Sequence, residues 1–214
     1  MREIWLAIAV FASLSAVAPA FAQAPQAPPA QEIKDPSALK LGADDRILGN
    51  KDAPITIIEY ASLTCPHCMH FDTEVLPKLK AKWIDGGKVR LVLRDYPLDG
   101  LALRAAQVAR CAPPAKFYPF VDTLFQTQDK WAPAKDPQAE LQKLALLGGM
   151  TKKQFDDCLA DKQVENKVVG SRLVATQQLG VNATPTFFVN GTKFDGAPTE
   201  EAFDDLLTKL STKS

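Results

Sequence analysis

The segment SLTCPHCMHF, residues 62–71, concentrates the side chains of this sequence that could do chemistry. It holds two of the four cysteines, Cys65 and Cys68, and both histidines, His67 and His70. A Cys-x-x-Cys pair is typical of a redox dithiol, but it also occurs as a structural disulfide or as half of a zinc site. Zinc needs four ligands, and the sequence has neither a second Cys-x-x-Cys nor another histidine. The pattern therefore favours redox chemistry, and no metal or other cofactor is predicted.

The place of this pair at the start of a predicted helix gives its two thiols unequal chemistry. Cys65 would lie at the helix N-terminus, where unpaired backbone N–H groups and the helix dipole stabilise a thiolate and lower its pKa. Cys68 would lie inside the first turn, more shielded and within reach for a ring-closing disulfide. Pro66 suits an early helical position, and His67 adds a donor or a positive charge near the Cys65 sulfur. His70 is interpreted as a helix-surface residue.

The elements around the motif predict an α/β fold. Residues 54–62 (PITIIEYAS) are β-branched, aromatic and almost uncharged, which is typical of a buried strand. A helical pattern follows the motif, and Pro77 inside it is expected to kink the helix. Residues 88–98 (KVRLVLRDYPL) alternate like a strand and stop at a proline. A strand, a helix and a second strand in this order imply parallel strands in a covered sheet.

The second half of the sequence adds a helical block and a closing unit. Residues 101–167 are rich in alanine and leucine at helical spacing, which predicts several short helices. Strand composition returns at residues 184–194, where Asn190-Gly191 predicts a two-residue hairpin turn. A last helix is predicted after an N-cap at Thr199.

Charge and the N-terminal residues restrict the partners and the compartment. The 214 residues carry 25 Lys plus Arg and 25 Asp plus Glu without a basic stripe, so no nucleic-acid partner is expected. An apolar stretch followed by Ala20 and Ala22 predicts a signal peptide over residues 1–22, cleaved after Ala22. An uncleaved membrane anchor is the alternative, since the stretch is nearly long enough to span a bilayer. Residues 23–44, rich in proline and alanine, are predicted to form an extended linker.

Two motifs together resemble a known family. The tetrapeptide Cys-Pro-His-Cys after the strand IIEYASLT, with NATPTFFVNG at residues 182–191, is similar to the DsbA family of periplasmic thiol-disulfide oxidoreductases. The resemblance extends from about Ala43 to the C-terminus. It implies a thioredoxin-like fold with an inserted helical domain, in which residues 45–98 and 176–214 form the thioredoxin-like part and residues 99–175 the insertion. It also implies a periplasmic location.

The resemblance implies roles for the residues around the motif. Cys65 corresponds to the exposed nucleophilic cysteine of the family, whose acidity is a family property, and Cys68 corresponds to its buried partner. Glu59 matches a buried acid below the site that assists proton transfer at Cys68. Arg94 falls near the place where relatives often carry a basic partner for that acid.

A second group of residues corresponds to the substrate-binding side of the family site. Pro185 matches a cis-proline that packs beside the disulfide and helps to bind substrate backbone, with Thr184 turned toward the Cys65 sulfur. Thr184 stands where the best-known oxidases carry valine, and threonine there is typical of related isomerases and reductases. Thr64 stands where many relatives carry a larger residue. Both departures concern the redox potential and the choice of partner.

Cys111 and Cys158 remain outside the motif, in the helical block. In an exported protein two further cysteines most simply pair with each other, so we expect a structural disulfide. Two free buried thiols are the alternative.

These observations predict a monomeric enzyme that introduces disulfide bonds into exported proteins through Cys65 and Cys68. Its expected partners are unfolded exported proteins with free thiols and, by the family resemblance, a quinone-linked membrane protein that reoxidises it. An isomerase or reductase is the first alternative, although isomerases of this type carry a dimerisation domain for which the stretch before Asp45 is too short. A thioredoxin-like chaperone without turnover is the second.

Overall fold

The computed structural model describes residues 33–212, so the predicted signal peptide lies outside the described part. The predicted linker, residues 23–44, is described only from residue 33, and there it is not extended. The N–H groups of Lys34 and Asp35 donate to Gln178 O, and a 3₁₀ turn at Pro36–Leu39 buries Leu39. The linker prediction is wrong for these residues because their few apolar side chains pack into a core cluster beside the sheet.

A five-stranded mixed sheet lies at the centre of the fold in the order β1-β3-β2-β4-β5. The strands are Ile47–Gly49 (β1), Ile55–Ala61 (β2), Val89–Asp95 (β3), Thr186–Val189 (β4) and Thr192–Lys193 (β5). Strands β2 and β3 pair in parallel, as their sequence predicts, and the other pairs are antiparallel. The hairpin at Asn190-Gly191 is also confirmed. Both residues have a positive φ, 47° and 83°, which a two-residue turn of this kind requires.

The helices cover both faces of this sheet. A helical segment after β2 contains Pro66–His70 (α1) and Leu76–Leu79 (α2), with π turns at Phe71–Val75 and Lys80–Ile84. Between β3 and β4 lie Gly100–Cys111 (α3), Phe117–Gln126 (α4), Gln128–Trp131 (α5), Pro137–Leu147 (α6), Lys152–Ala160 (α7) and Lys162–Gln178 (α8). The chain closes with Glu200–Ser211 (α9), which begins after the predicted N-cap Thr199. No helix in residues 33–212 is both long and apolar enough to cross a bilayer.

The core lies on the two faces of the sheet. The larger cluster packs α1, α2, α9 and much of the helical block against one face, with Phe71, Phe187 and Phe203 in mutual ring contact. The smaller cluster covers the other face with Leu39 and residues of α8. Because β2 is buried along nearly its whole length, the residues directly after it are delivered to a site enclosed by several elements.

Candidate active site

The Cys-x-x-Cys pair lies where β2 passes into α1. A turn closed by Cys65 N–H on Ser62 O ends the strand region, and Cys65 then caps the helix with an extended backbone, φ −84° and ψ 122°. Pro66 follows as the first helical residue, where its missing N–H leaves no donor unpaired. Both Cys65 and Cys68 are free thiols in this structure. The arrangement is the strand-to-helix junction that the sequence predicts.

The two thiols differ in acidity. A hydrogen bond from the Cys68 thiol is the largest of the causes that lower the pKa of Cys65 from 9.0 to about 5, against the opposing effect of burial. The Thr184 hydroxyl and the N–H groups of Cys68 and His67 act in the same direction. Burial raises the pKa of Cys68 far above its usual range, and the hydrogen bond to Cys65 and the charge of Glu59 raise it further. One sulfur is therefore a thiolate at neutral pH and the other a thiol.

The loop before β4 closes over the sulfur of Cys65. The Thr184–Pro185 peptide bond is cis, as the resemblance implies. The Cys65 thiol donates to Thr184 O at 3.4 Å, across 119 positions of sequence. Pairing of β4 with β2 brings the two segments together, since Tyr60 is in register with Thr186. The Thr184 hydroxyl oxygen is buried and has no other hydrogen-bond partner, so it is free to bond the thiolate.

The exposure of the motif residues differs from the expectation at one position. Cys68 is fully buried, as expected, but Cys65 keeps only 5% of its surface rather than being exposed. The reason is the Thr184 loop, which covers its sulfur. His67 and His70 are exposed, and the acidity of Cys65 draws on the backbone N–H of His67. Within residues 33–212, no cluster of three or more His, Cys, Asp or Glu side chains is arranged to hold a metal.

Glu59 lies buried below the pair, but Arg94 is not its partner. Only 2% of Glu59 is exposed, and its Oε1 atom has no hydrogen bond. In the parallel register Glu59 stands beside Leu93, and Arg94 stands beside Tyr60. Because neighbouring residues of a strand face opposite sides, Arg94 lies on the far face. It binds the Asp45 carboxylate there at 2.9 Å through two nitrogens. The expected pairing is therefore wrong.

Desolvation favours the protonated form of Glu59. Burial is the main cause that raises the pKa of Glu59 well above its usual 4.5, with smaller contributions from the charges of Asp72 and Cys65. Glu59 is therefore a buried acid whose charge, when it ionises, acts on Cys68.

Asp72 is a buried acid that the sequence reading missed. It lies four residues after Cys68 in the same helical segment and is 8% exposed. Burial raises its pKa from 3.8 to about 7, and the charge of Asp122 on α4 adds to the effect. The spacing of Asp72 from Cys68, one helical turn, was the signal available in the sequence.

We expect the Asp72 carboxyl to titrate near pH 7, which carboxylate chemical shifts in NMR spectra would measure directly. A raised folded-state pKa means that ionisation opposes folding, so this contribution to stability is lost as the pH rises from about 4 to about 7. Asp72→Asn should therefore stabilise the protein at pH 8 and have little effect at pH 4. A midpoint near the usual 3.8 would contradict the burial of the group. Asp85→Asn, at an exposed aspartate, serves as the control.

The remaining cysteines, Cys111 and Cys158, form the expected disulfide. They join the end of α3 to α7 across 47 positions of sequence. The bond lies within the helical part of the chain, apart from the Cys65–Cys68 pair. The alternative of two free buried thiols is thereby excluded.

Comparison with known proteins extends what the geometry indicates. The family model Thioredoxin_4, described as thioredoxin, matches residues 42–209. The crystal structure of alpha-DsbA1 from Wolbachia pipientis has a TM-score of 0.77 and 34% sequence identity. The match covers 83% of this chain and 96% of that chain. The chain belongs to the DsbA family.

Curated relatives of this DsbA-family chain carry names of the same kind. A putative protein-disulfide oxidoreductase of Rickettsia bellii is 35% identical over 153 residues, which are 71% of this chain and 59% of the relative. A probable disulfide bond formation protein D of Bacillus anthracis is 32% identical over 155 residues, 67% of this chain and 69% of the relative. The match thus spans about 59% of the length of the Rickettsia protein.

Proposed function

We propose that this DsbA-family protein is a thiol-disulfide oxidoreductase that transfers a disulfide from Cys65 and Cys68 to exported proteins. The observation that carries the proposal is the opposite perturbation of the two thiols. The pKa of Cys65 is lowered to about 5, while that of Cys68 is raised. A disulfide whose reduction yields a stable thiolate is a strong oxidant, since reduction is favoured. This asymmetry supports donation of disulfides more than their reduction.

The transfer balances as two successive exchanges. A substrate thiolate attacks the Cys65 sulfur of the oxidised pair, and the bond between the two sulfurs breaks. Cys68 leaves with the electron pair and takes up a proton, because its raised pKa favours the thiol. A second substrate thiolate then attacks the substrate sulfur of the mixed disulfide. Cys65 leaves as a thiolate, so the substrate is oxidised by two electrons and the enzyme pair is reduced.

Glu59 and the Thr184 loop have separate roles in this proposal. Glu59, in its protonated form, supplies the proton that Cys68 takes up, since it is a buried acid whose ionised form acts on that thiol. The backbone at Thr184, whose carbonyl lies 3.4 Å from the Cys65 sulfur, pairs with an extended substrate segment. Pairing through main-chain groups provides affinity without sequence specificity. Such binding suits an enzyme that accepts many unfolded chains.

The partners and the compartment follow from the same chemistry. Substrates are unfolded exported proteins with free thiols, and the site of action is the periplasm after cleavage of residues 1–22. Each cycle leaves both cysteines reduced, so a membrane protein linked to quinones is proposed as the electron acceptor. These parts of the proposal rest on the N-terminal sequence and on the family.

The redox equilibrium of Cys65 and Cys68 with glutathione tests the function. We expect an oxidising pair that also forms the disulfide of a dithiol peptide in the presence of an oxidant. Cys65→Ser should remove this turnover, whereas Cys111→Ala with Cys158→Ala should not. An equilibrium as reducing as that of a thiol reductase would favour the isomerase or reductase alternative. Absence of turnover by a correctly folded, oxidised wild-type protein would favour the chaperone alternative.

A further inference from the structure

One buried side chain of the helical block reaches the backbone of the redox motif. Gln128, the first residue of α5, is only 5% exposed. Its Nε2 group donates to Leu63 O at 2.9 Å and to Cys65 O at 3.2 Å. An amide nitrogen carries two hydrogens, so each of these carbonyls takes one. The donor capacity of this side chain is therefore used entirely on the peptide groups next to the nucleophile.

This placement differs from ordinary core packing. Glutamine is rarely buried to this extent, and burying an amide costs free energy unless it is hydrogen-bonded. An apolar residue would fill the same space without that cost. The Gln128 amide instead bonds the carbonyls of Leu63 and Cys65, which lie beyond the end of β2 and take no part in its strand pairing.

The contacts of Cys65 O indicate what the amide controls. This oxygen also accepts the first hydrogen bond of the active-site helix, from Met69 N–H at 3.0 Å. Gln128 therefore holds the peptide at the point from which α1 starts, beside the N–H groups that stabilise the Cys65 thiolate. The Gln128 amide thus adds a second donor to Cys65 O and a donor to Leu63 O, on peptide groups of and near the residue that carries the thiolate.

A second set of contacts holds the same loop from the two residues that precede α3, Leu98 and Asp99, without touching the peptide of Cys65. Thr64 donates its hydroxyl to Asp99 at 2.7 Å, and Leu98 N–H donates to Ser62 Oγ at 3.3 Å. These bonds fix the residues before the motif. Among the side chains in residues 33–212, Gln128 is the one that bonds the Cys65 carbonyl, and it belongs to the block between β3 and β4.

We propose that Gln128 is a positioning residue for Cys65: its amide fixes the peptide groups of Leu63 and Cys65 and thereby sets the reactivity of the nucleophilic sulfur. The helical block, through this one side chain, then takes part in the chemistry of a motif that lies outside it. The inference rests on the proposed function for its redox consequence. Its effect on the thiolate does not require turnover.

The test is the titration of Cys65 in the reduced protein, followed by the ultraviolet absorbance of the thiolate. Gln128→Met keeps the length of the side chain and removes both donors. We expect the midpoint to rise by about one pKa unit, since a shift of that size corresponds to the net free energy of about one hydrogen bond. The equilibrium constant for oxidising glutathione should fall by about tenfold.

A second variant keeps the test decisive if Gln128→Met does not fold. Gln128→Glu has nearly the same shape, but a carboxyl has at most one proton to donate, so at least one carbonyl loses its partner. If it ionises, it adds a negative charge beside the thiolate. Its midpoint should rise at least as far as that of the methionine variant.

Trp131→Phe is the matched control on the same short helix. Trp131 is 1% exposed and donates through Nε1 to Leu124 O at 2.8 Å, within the helical block. Its replacement should lower stability without moving the Cys65 midpoint. Glu59 and Cys68, whose pKa values respond to the charge of Cys65, are unchanged in all three variants.

The outcomes separate this inference from the proposed function. A Cys65 midpoint equal to that of the wild type in a folded Gln128 variant would overturn the inference. A shift of the midpoint in Trp131→Phe as large as in the Gln128 variants would also overturn it. A wild-type midpoint near the free-thiol value would instead overturn the proposed function.

Discussion

Reduced protein at pH 7 should gain about 2 kcal/mol of unfolding free energy from the Cys65 thiolate. The pKa of this thiol is 9.0 in the unfolded chain and about 5 in the folded protein. A depressed folded-state pKa stabilises the protein in full above the unfolded value, and this stabilisation is lost as the pH falls through about 5. Because pH 7 lies between the two pKa values, only the part of the shift between about 5 and 7 contributes at that pH.

Denaturant unfolding of reduced protein at pH 7 and pH 4 measures this contribution. Reduced Cys65→Ala is the control, because it lacks the thiolate while Glu59 and Asp72 titrate in both proteins. The difference between wild type and variant should shrink by about 2 kcal/mol on going to pH 4. Parallel pH profiles would contradict the acidity of Cys65. Since the disulfide form lacks the thiolate, the same free energy makes that disulfide a better oxidant.

Removing the Cys111–Cys158 disulfide should lower the free energy of unfolding by up to about 4 kcal/mol, with dithiol oxidation unchanged. The bond closes a loop across 47 positions between Cys111 and Cys158. Its loss enlarges the unfolded ensemble, and the chain-entropy model assigns loops of this length that cost. The bond lies in the helical block. Within residues 33–212 it has no contact with Cys65 or Cys68.

The Cys111→Ala, Cys158→Ala double variant tests this by denaturant unfolding of the oxidised protein and by peptide oxidation. The single variants are unsuitable controls because each leaves a free thiol that can exchange with Cys65. The Cys65→Ala, Cys68→Ala variant provides the opposite case, in which the Cys111–Cys158 bond and its contribution to the free energy of unfolding remain and oxidation is lost. Loss of activity in a folded Cys111 and Cys158 variant would show that this bond is not merely structural.

Much of the site was predictable because its signals are local. The strand composition of residues 54–62, the Cys-Pro-His-Cys spacing and Asn190-Gly191 each depend on neighbouring residues, and the structure has a strand, a helix start and a turn at these places. The unequal acidity of Cys65 and Cys68 likewise follows from their order at a helix N-terminus. The burial of Glu59 could be inferred from its apolar neighbours in the strand.

The errors arose where the answer depends on which face or which partner a side chain meets. Arg94 was matched to Glu59 by position along the chain, but the register of two paired strands put it beside Tyr60 on the opposite face. Residues 33–44 read as an extended linker, because the surface that Leu39 covers is assembled from β2, β3, β4 and α8. Neither fact is carried by a short stretch of sequence.

The sequence by itself determined a redox dithiol, its position between a strand and a helix, and the order of the elements. The family resemblance also implied that Thr184 turns toward Cys65, but the tertiary structure alone decided the burial of Cys65 under the Thr184 loop, the buried Asp72, and the contact of Gln128 with the motif. Hydrogen bonding and desolvation act over a few ångströms in space, whereas these residues lie up to 119 positions from Cys65. Residue types and spacing define the thiol chemistry, and the packed neighbours set the acidity of each sulfur.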